Sequence, residues 1–302
     1  MAGLFVRGET AEVYHQRRLD VASNGGLRII DEQTPAHYHH FITTPRAADE
    51  EETAAQFLGA AYHCAVLEPE VFADTYRIVP VDAPKDLRRF RDAKKPSNET
   101  LDAIAWWDMW EAENAGKILV STAVRENMIA MATSQRRMVL DIGGIKIVLS
   151  ELIDECDKEV SGYWVDPETG IRCKLRFDLM SEELNFGGDL KTAMDAGAEA
   201  FARTMAKHGY HRQEAHYCEG YREITGRPLS SFMFLPVEKA APFLPSAWIM
   251  GPASHELGYN LTRRALGKLQ ACLKSDTWPG YPNTAKEIEL PTWAHYQLED
   301  PK

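Results

Sequence analysis

The 302-residue chain is poor in cysteine and shows no pattern among the five it has: Cys64, Cys156, Cys173, Cys218 and Cys272 are scattered, without a Cys-x-x-Cys pair. That argues against a disulfide framework, a zinc ribbon and a four-cysteine iron-sulfur cluster. No stretch approaches the roughly 18 to 20 uninterrupted apolar residues that span a bilayer. The amino terminus MAGLFVRGETAEVYHQ lacks the apolar region of a signal peptide. These absences read as a cytoplasmic protein with no membrane partner. Internal repeats and low-complexity tracts are also missing. Cations are the minority charge, 34 against 45 acids for a net charge of -11, which on average disfavours a partner held through its phosphates.

What is present is apolar material, 44% of residues, enough for a substantial core in one large domain or two ordinary ones. One basic run breaks the acidic average: residues 85–95, KDLRRFRDAKK, hold six cations against two acids. Arg88, Arg89 and Arg91 are its candidates for phosphate contact, against the plainer reading of a solvated loop.

Residues 1–50 read as irregular, with a turn at SNGG and a short helix before Thr34-Pro35. From Glu50 the apolar residues Ala54, Phe57, Leu58, Ala61, Ala65 and Val66 recur at helical spacing, closed by Glu68-Pro69. This helix sets Gly59 and His63 on one face. Residues 100–140 read as helical, with Trp106, Trp107 and Trp110 in the core. After Gly143-Gly144 the period shortens: IKIVLSEL, VSGYWVD, IRCKLRFDLM and LNFGGDLK are short β-rich runs, and DPETG marks a hairpin between the second and third. One long amphipathic segment from about 196 to 225, stopped by Gly226 and Pro228, precedes a last apolar run, SFMFLPV. Helix, three strands, helix and strand in that order predict an α/β layered sheet.

The strand IRCKLRFD ends in Asp178, and GGDLKT, residues 187–192, carries Asp189 and Lys191. On a strand, the period of two sets Asp189 and Lys191 on one face. A surface ion pair, worth under about 1 kcal/mol, is the plain account. Two carboxylates on neighbouring strands instead make an all-oxygen site suited to Mg²⁺ or Mn²⁺. Beside it an ammonium can orient an attacking water and stabilise charge growing on a phosphate. On the following helix Gln213 and Tyr217 stand four apart, with Tyr210 one turn earlier, on a face toward the strand ends. His37, His39 and His40 in AHYHH lack cysteine or glutamate partners at ligand spacing, so they read as surface or packing residues rather than zinc ligands.

D-x10-D-L-K followed by Q-x3-Y, preceded by a helix with G-x3-H, resembles the PD-(D/E)XK nuclease superfamily and its RecB-like exonuclease branch. LGAAYHCAVLEPE, EVSGYWVDPETGIRCKLRFD, DLKTAMDA, KHGYHRQEAHYCEGY, WPGYP and LPTWA are similar to the carboxy-terminal nuclease domain of the exodeoxyribonuclease VIII (RecE) family, over most of residues 20–295. The resemblance implies an α/β restriction-endonuclease-like core, a central mixed β-sheet flanked by helices. It implies a single nuclease domain over 1–302, with an irregular region at 1–50, a catalytic core at about 51–240 and a C-terminal helix and tail at 241–302. Asp178, Asp189 and the Leu190 carbonyl would hold Mg²⁺, with Mn²⁺ able to substitute, and His63 would approach the metal. Lys191 would act on the attacking water, while Gln213 and Tyr217 would hold the DNA end or order the site. Tyr210 would join Arg88, Arg89 and Arg91 in contacting DNA. The proline of the motif is replaced by Phe177, at a position on which no chemistry depends. Glu159 falls where the family tends to have an acid; it reads here as a strand-edge surface acid rather than a residue near metal. Relatives with an iron-sulfur cluster need bracketing cysteines that this chain lacks.

The activity implied is a Mg²⁺-dependent exodeoxyribonuclease that degrades one strand of linear double-stranded DNA, 5′ to 3′, leaving single-stranded DNA for phage-type homologous recombination. A RecT-like single-strand annealing protein is the implied partner. A ring-shaped homo-oligomer, such as a tetramer, would let topology replace much of the electrostatic attraction of an acidic subunit for duplex ends. Two alternatives stay open: a structure-specific or restriction-like endonuclease on the same core, and a catalytically silent DNA-binding protein. Retention of His63, Asp178, Asp189, Lys191 and Gln213 argues against the second.

Overall fold

A computed structural model describes residues 3–45 and 54–295. The chain begins with β1 (Leu4–Val6), α1 (Ala11–Tyr14), β2 (Val21–Ser23), α2 (Asn24–Glu32) and α3 (Pro35–Thr43). There follow α4 (Ala54–Leu67), α5 (Pro69–Thr75), β3 (Tyr76–Ile78), α6 (Asn98–Glu113), β4 (Ile118–Val120) and α7 (Thr122–Arg136). A small hairpin of β5 (Val139–Ile142) and β6 (Ile145–Val148) leads into α8 (Leu149–Glu155). Then β7 (Asp157–Val165), β8 (Arg172–Ser181) and β9 (Phe186–Ala193) form an antiparallel meander. Helices α9 (Ala198–His208) and α10 (Tyr210–Thr225) cross over to β10 (Ser231–Glu238), which runs parallel to β9. The order closes with β11 (Trp248–Ile249), α11 (Pro252–Ser275) and α12 (Thr292–His295).

The central sheet runs β1-β7-β8-β9-β10-β11, with β2 paired to β8. It is mixed, and each face is covered. On one face Leu179, Leu190 and Leu235 pack with Tyr62 of α4, Phe72 of α5, Met128 of α7 and Leu152 of α8. On the other, Leu175, Phe177 and Phe234 pack with Ile30 of α2, Tyr38 of α3, Tyr221 of α10 and Leu266 of α11. Each such side chain contributes about 1.5–3 kcal/mol by leaving water, so the sheet is pinned from both sides. The α/β expectation of a central mixed sheet flanked by helices is met.

Several expectations change, among them the helical reading of residues 100–140, since β4 (Ile118–Val120) separates α6 from α7 and β5 opens at Val139. Residues 1–50 are ordered wherever described: β1 pairs with β7, and β2 with β8. Three-residue strands are too short to leave a period in sequence. SNGG is the start of α2 rather than a turn, with Ser23 Oγ accepting from Gly26 N–H at 3.3 Å as the helix cap. IKIVLSEL is strand only to Val148; Leu149, Leu152 and Ile153, all buried, then follow helical spacing in α8. The segment at 196–225 is two helices broken at Gly209, whose φ of 72° is left-handed and costs glycine little. Of the tryptophans, Trp107 is core, its Nε1–H donating to the Pro84 carbonyl at 2.9 Å. Trp106 and Trp110 are half-buried and stack on one another at 6.0 Å. The predicted start of α4 at Glu50 lies outside the described residues. No helix among the described residues is long and apolar enough to cross a membrane.

α10 and α11 touch backbone to backbone. A Cβ placed on Gly258 of α11 would lie 1.9 Å from the His211 carbonyl oxygen, a rigid neighbour that cannot step aside. Gly258→Ala therefore forces the two helices apart and should cost about 2 kcal/mol or more. Chemical denaturation measures this directly, and a variant as stable as the parent would contradict the close packing.

Candidate active site

The alternation of β8 slips at one residue. Leu175 and Phe177 face the second core and Leu179 the first, although steps of two should keep all three together. The chain slips at the facing position of β7: Cys156, just before the strand, lies in the first core and Val160 in the second. Between them Glu159 has a φ of 53°, an arrangement that costs a non-glycine residue about 1–3 kcal/mol and persists only where its surroundings enforce it. The β7–β8 register runs Lys158 to Leu179 and Val160 to Phe177, so Glu159 and Asp178 face each other outside the ladder. The β8–β9 ladder stops beside them, at Leu179 and Gly188. The strands thus part at Asp178, and its carboxylate fills the fork by accepting from Leu190 N–H at 2.6 Å.

β9 supplies the other arm. Gly187 has no room for a side chain, since a Cβ would stand 2.7 Å from the Phe177 ring. Beyond it Asp189 and Lys191 share a face, and Lys191 Nζ is ion-paired with Asp189 Oδ2. Gln213 of α10 donates Nε2–H to Asp189 Oδ1 at 2.5 Å. The Tyr210 ring lies 4.8 Å from Lys191 Nζ. From the opposite face, α4 delivers His63: Nε2–H donates to the Leu190 carbonyl at 3.0 Å, and Nδ1 stands 3.6 Å from Asp178 Oδ2. Gly59, one turn away on α4, faces open space.

Tyr217 is buried, its ring against Phe177 at 5.2 Å and Phe232 at 5.9 Å. It packs beneath the site and is not presented to a ligand. Glu159 needs a correction. Glu159 is half-buried and its left-handed backbone turns it in toward the fork, so it is not a plain surface acid. Its Oε2 accepts from Arg176 Nε at 2.5 Å, its Oε1 stands 4.0 Å from His63 Nδ1, and His63, Glu159 and Asp178 bring one ligand atom each within 4.8 Å of one another. The acid at the start of EVSGYW was the sequence signal; the left-handed backbone that turns it inward has none.

The basic run is less available than its composition suggests. Arg88 is paired with Asp86 at 2.8 Å and with Glu111 of α6 at 2.5 Å, and Arg91 with Asp108 at 2.5 Å. Arg89 lies over the Phe90 ring at 4.6 Å. Two of the three proposed phosphate contacts are thus already neutralised by neighbours. The histidines of α3 serve packing, as expected: His37 bonds the Thr34 hydroxyl, His40 that of Thr44, and His39 lies 4.9 Å from the Trp278 ring.

Burial pushes the Asp178 carboxyl up to about 7, against the pull of His63 and with the charges of Asp189 and Glu159 adding to the rise. Burial pulls the Lys191 ammonium down, but Asp189 and Asp178 outweigh it, so its pKa is raised and the cation is kept. Asp178 has no lysine or arginine within ion-pair distance among the described residues. A desolvated carboxylate with an imidazole, a second carboxylate and a backbone carbonyl around it is a donor set that fits a divalent cation.

A mixed sheet whose β8–β9 fork carries an acid, then acid-x-lysine, and is closed by a helix on each face defines a nuclease fold of the PD-(D/E)XK type. Residues 31–291 match the family described as PDDEXK-like domain of unknown function (DUF3799), and the chain belongs to that family. The crystal structure of a candidate exonuclease from Eubacterium rectale shares the fold, with a TM-score of 0.56 and 13% identity over 98% of this chain and 100% of that one. No curated protein matches the sequence.

Because Asp178 titrates near 7, a cation must displace its proton below that pH and need not above it. Affinity for Mn²⁺ should therefore rise about tenfold per pH unit up to about 7 and then level off. Calorimetry in buffers of different ionisation enthalpy should find about one proton released near pH 6 and almost none near pH 8. Asp178→Asn should remove the dependence; a flat profile in the parent protein would overturn the assignment.

Proposed function

We propose that this protein is a Mg²⁺-dependent exodeoxyribonuclease that degrades one strand of linear duplex DNA from 5′ to 3′. The observation that carries the reading is the convergence of His63, Asp178, Asp189, Lys191 and Gln213 on the β8–β9 fork. Asp178, Asp189, the Leu190 carbonyl, His63 and Glu159 would hold the cation. When bound, Mg²⁺ or Mn²⁺ neutralises phosphate charge and lowers the pKa of water.

The chain's own groups do the rest. Lys191, kept cationic by two aspartates, orients the attacking water and stabilises negative charge as it grows on the phosphate oxygens. Gln213 fixes the Asp189 carboxylate, so that one oxygen stays turned toward Lys191. Tyr210 covers the Lys191 ammonium, and Tyr217 holds the Phe177 ring beneath the fork. Arg89, with neither carboxylate partner of its neighbours, is the candidate phosphate contact of the basic run.

An acidic chain in which Arg88 and Arg91 are already paired with carboxylates attracts DNA weakly. This supports a ring-shaped homo-oligomer that retains duplex ends by topology. The single strand it leaves would suit a strand-annealing partner in phage-type recombination.

Digestion of end-labelled linear duplex beside a covalently closed circle, with and without Mg²⁺, tests the reading. Loss of one strand from the 5′ end of the linear substrate, with the circle intact, is the expected result. Nicking of the circle would instead establish an endonuclease, and binding without cleavage under either Mg²⁺ or Mn²⁺ a silent DNA-binding protein.

A further inference from the structure

Six acids are buried among the described residues: Asp31, Asp166, Asp178, Asp189, Glu214 and Glu219. Four have a lysine or arginine at ion-pair distance, namely Asp31 with Arg212, Asp166 and Glu219 with Arg263, and Asp189 with Lys191. Two have only a histidine. One is Asp178, already placed with His63 in the fork. The other is Glu214, whose single ion-pair partner is His255. An ionised carboxylate out of water needs compensation, and the exception at Asp178 coincides with a candidate metal cluster. Glu214 repeats the pattern on the other side of α10.

Glu214 and Cys218 stand four apart on α10, so their side chains meet. The Cys218 S–H donates to Glu214 Oε1 at 3.3 Å, and His255 Nδ1–H in the first turn of α11 donates to Glu214 Oε2 at 2.8 Å. The carboxylate, thiol and imidazole offer three ligand atoms within 4.8 Å of one another. They line a cavity of about 550 Å³ between α10, α11 and the start of β10, and His255 is 42% exposed, which leaves a path for an ion.

We propose that Glu214, Cys218 and His255 form a second cation site, selective for a borderline-soft divalent ion of the zinc type and separate from the nuclease cluster. Sulfur and imidazole in one donor set select Zn²⁺ or Co²⁺ over Mg²⁺ and Ca²⁺. Binding exchanges two hydrogen bonds to Glu214 for three bonds to the ion, releases the thiol proton of Cys218 and leaves the His255 ring proton on Nε2, so that Nδ1 is free to ligate. The ion would tie α10, which carries Gln213 on its active-site face, to the start of α11. A fourth ligand position would open on the cavity.

Co²⁺ titration of the full, chelator-treated protein tests this, because only a thiolate ligand produces the near-ultraviolet sulfur-to-cobalt band and the nuclease cluster contains no cysteine. The band should grow to about one equivalent and survive excess Mg²⁺. It should be absent in Cys218→Ser, need at least about tenfold more Co²⁺ in His255→Ala, and persist in Asp178→Asn. Absence of the band in the wild-type protein, its survival in Cys218→Ser, or its loss in Asp178→Asn would each overturn the site. His255 is exposed, so its variant tests the proposal even if the Cys218 substitution disturbs folding.

Discussion

The hydrogen bond from Leu190 N–H to the Asp178 carboxylate decides what the rest of the sheet can do. A backbone amide that would have found a carbonyl on β8 finds a side chain instead, and the two strands part around it. That separation gives Asp178, Asp189 and the Leu190 carbonyl room to converge, while His63 and Gln213 close the gap from opposite faces. The arrangement is held by force from outside. Phe177, Leu179, Leu190 and Phe234 anchor the strands in two separate cores, which compensate for the strained backbone at Glu159.

The same constraint sets the electrostatics. Burial makes charge expensive, so each acid in the site is defined by its partner: Asp189 has Lys191 and Gln213, whereas Asp178 has an imidazole and the like charge of Glu159. The result is one carboxylate ion-paired with an ammonium and one whose burial favours the protonated form. A single lysine next to two aspartates keeps its charge despite desolvation, which is the state that stabilisation of a phosphate requires.

How much of this was legible in sequence follows from range. Asp189 and Lys191 were readable because a two-residue period is local, and Gln213 because a four-residue helical step is local as well. The hairpin between β7 and β8 was marked by DPETG, where Asp166 accepts from Thr169 N–H at 2.8 Å. The strands at Leu4–Val6 and Val21–Ser23 were not readable: each is three residues long and exists only because β7 and β8 offer free edges. Glu159 was misread because its direction depends on a phase slip shared with a strand partner. The arginines of residues 85–95 were misjudged for a related reason, since Glu111 and Asp108 reach them from α6, beyond any local window. The Asp31 cluster with Arg212, Arg264 and Lys268, which ties α2 to α10 and α11, is equally remote in sequence and left no signal.

The central claim is that the fork is built for chemistry on a phosphodiester and that Lys191 takes part in it. Single-turnover cleavage of linear duplex at saturating Mg²⁺, measured for wild type and Lys191→Ala with Mn²⁺ affinity followed in parallel, addresses that claim most directly. Loss of a preorganised group acting in the transition state should lower the rate by about 10² or more while metal binding is largely kept. A rate within about threefold of wild type would mean that Lys191 is only the ion-pair partner of Asp189, and the account of the site would fail.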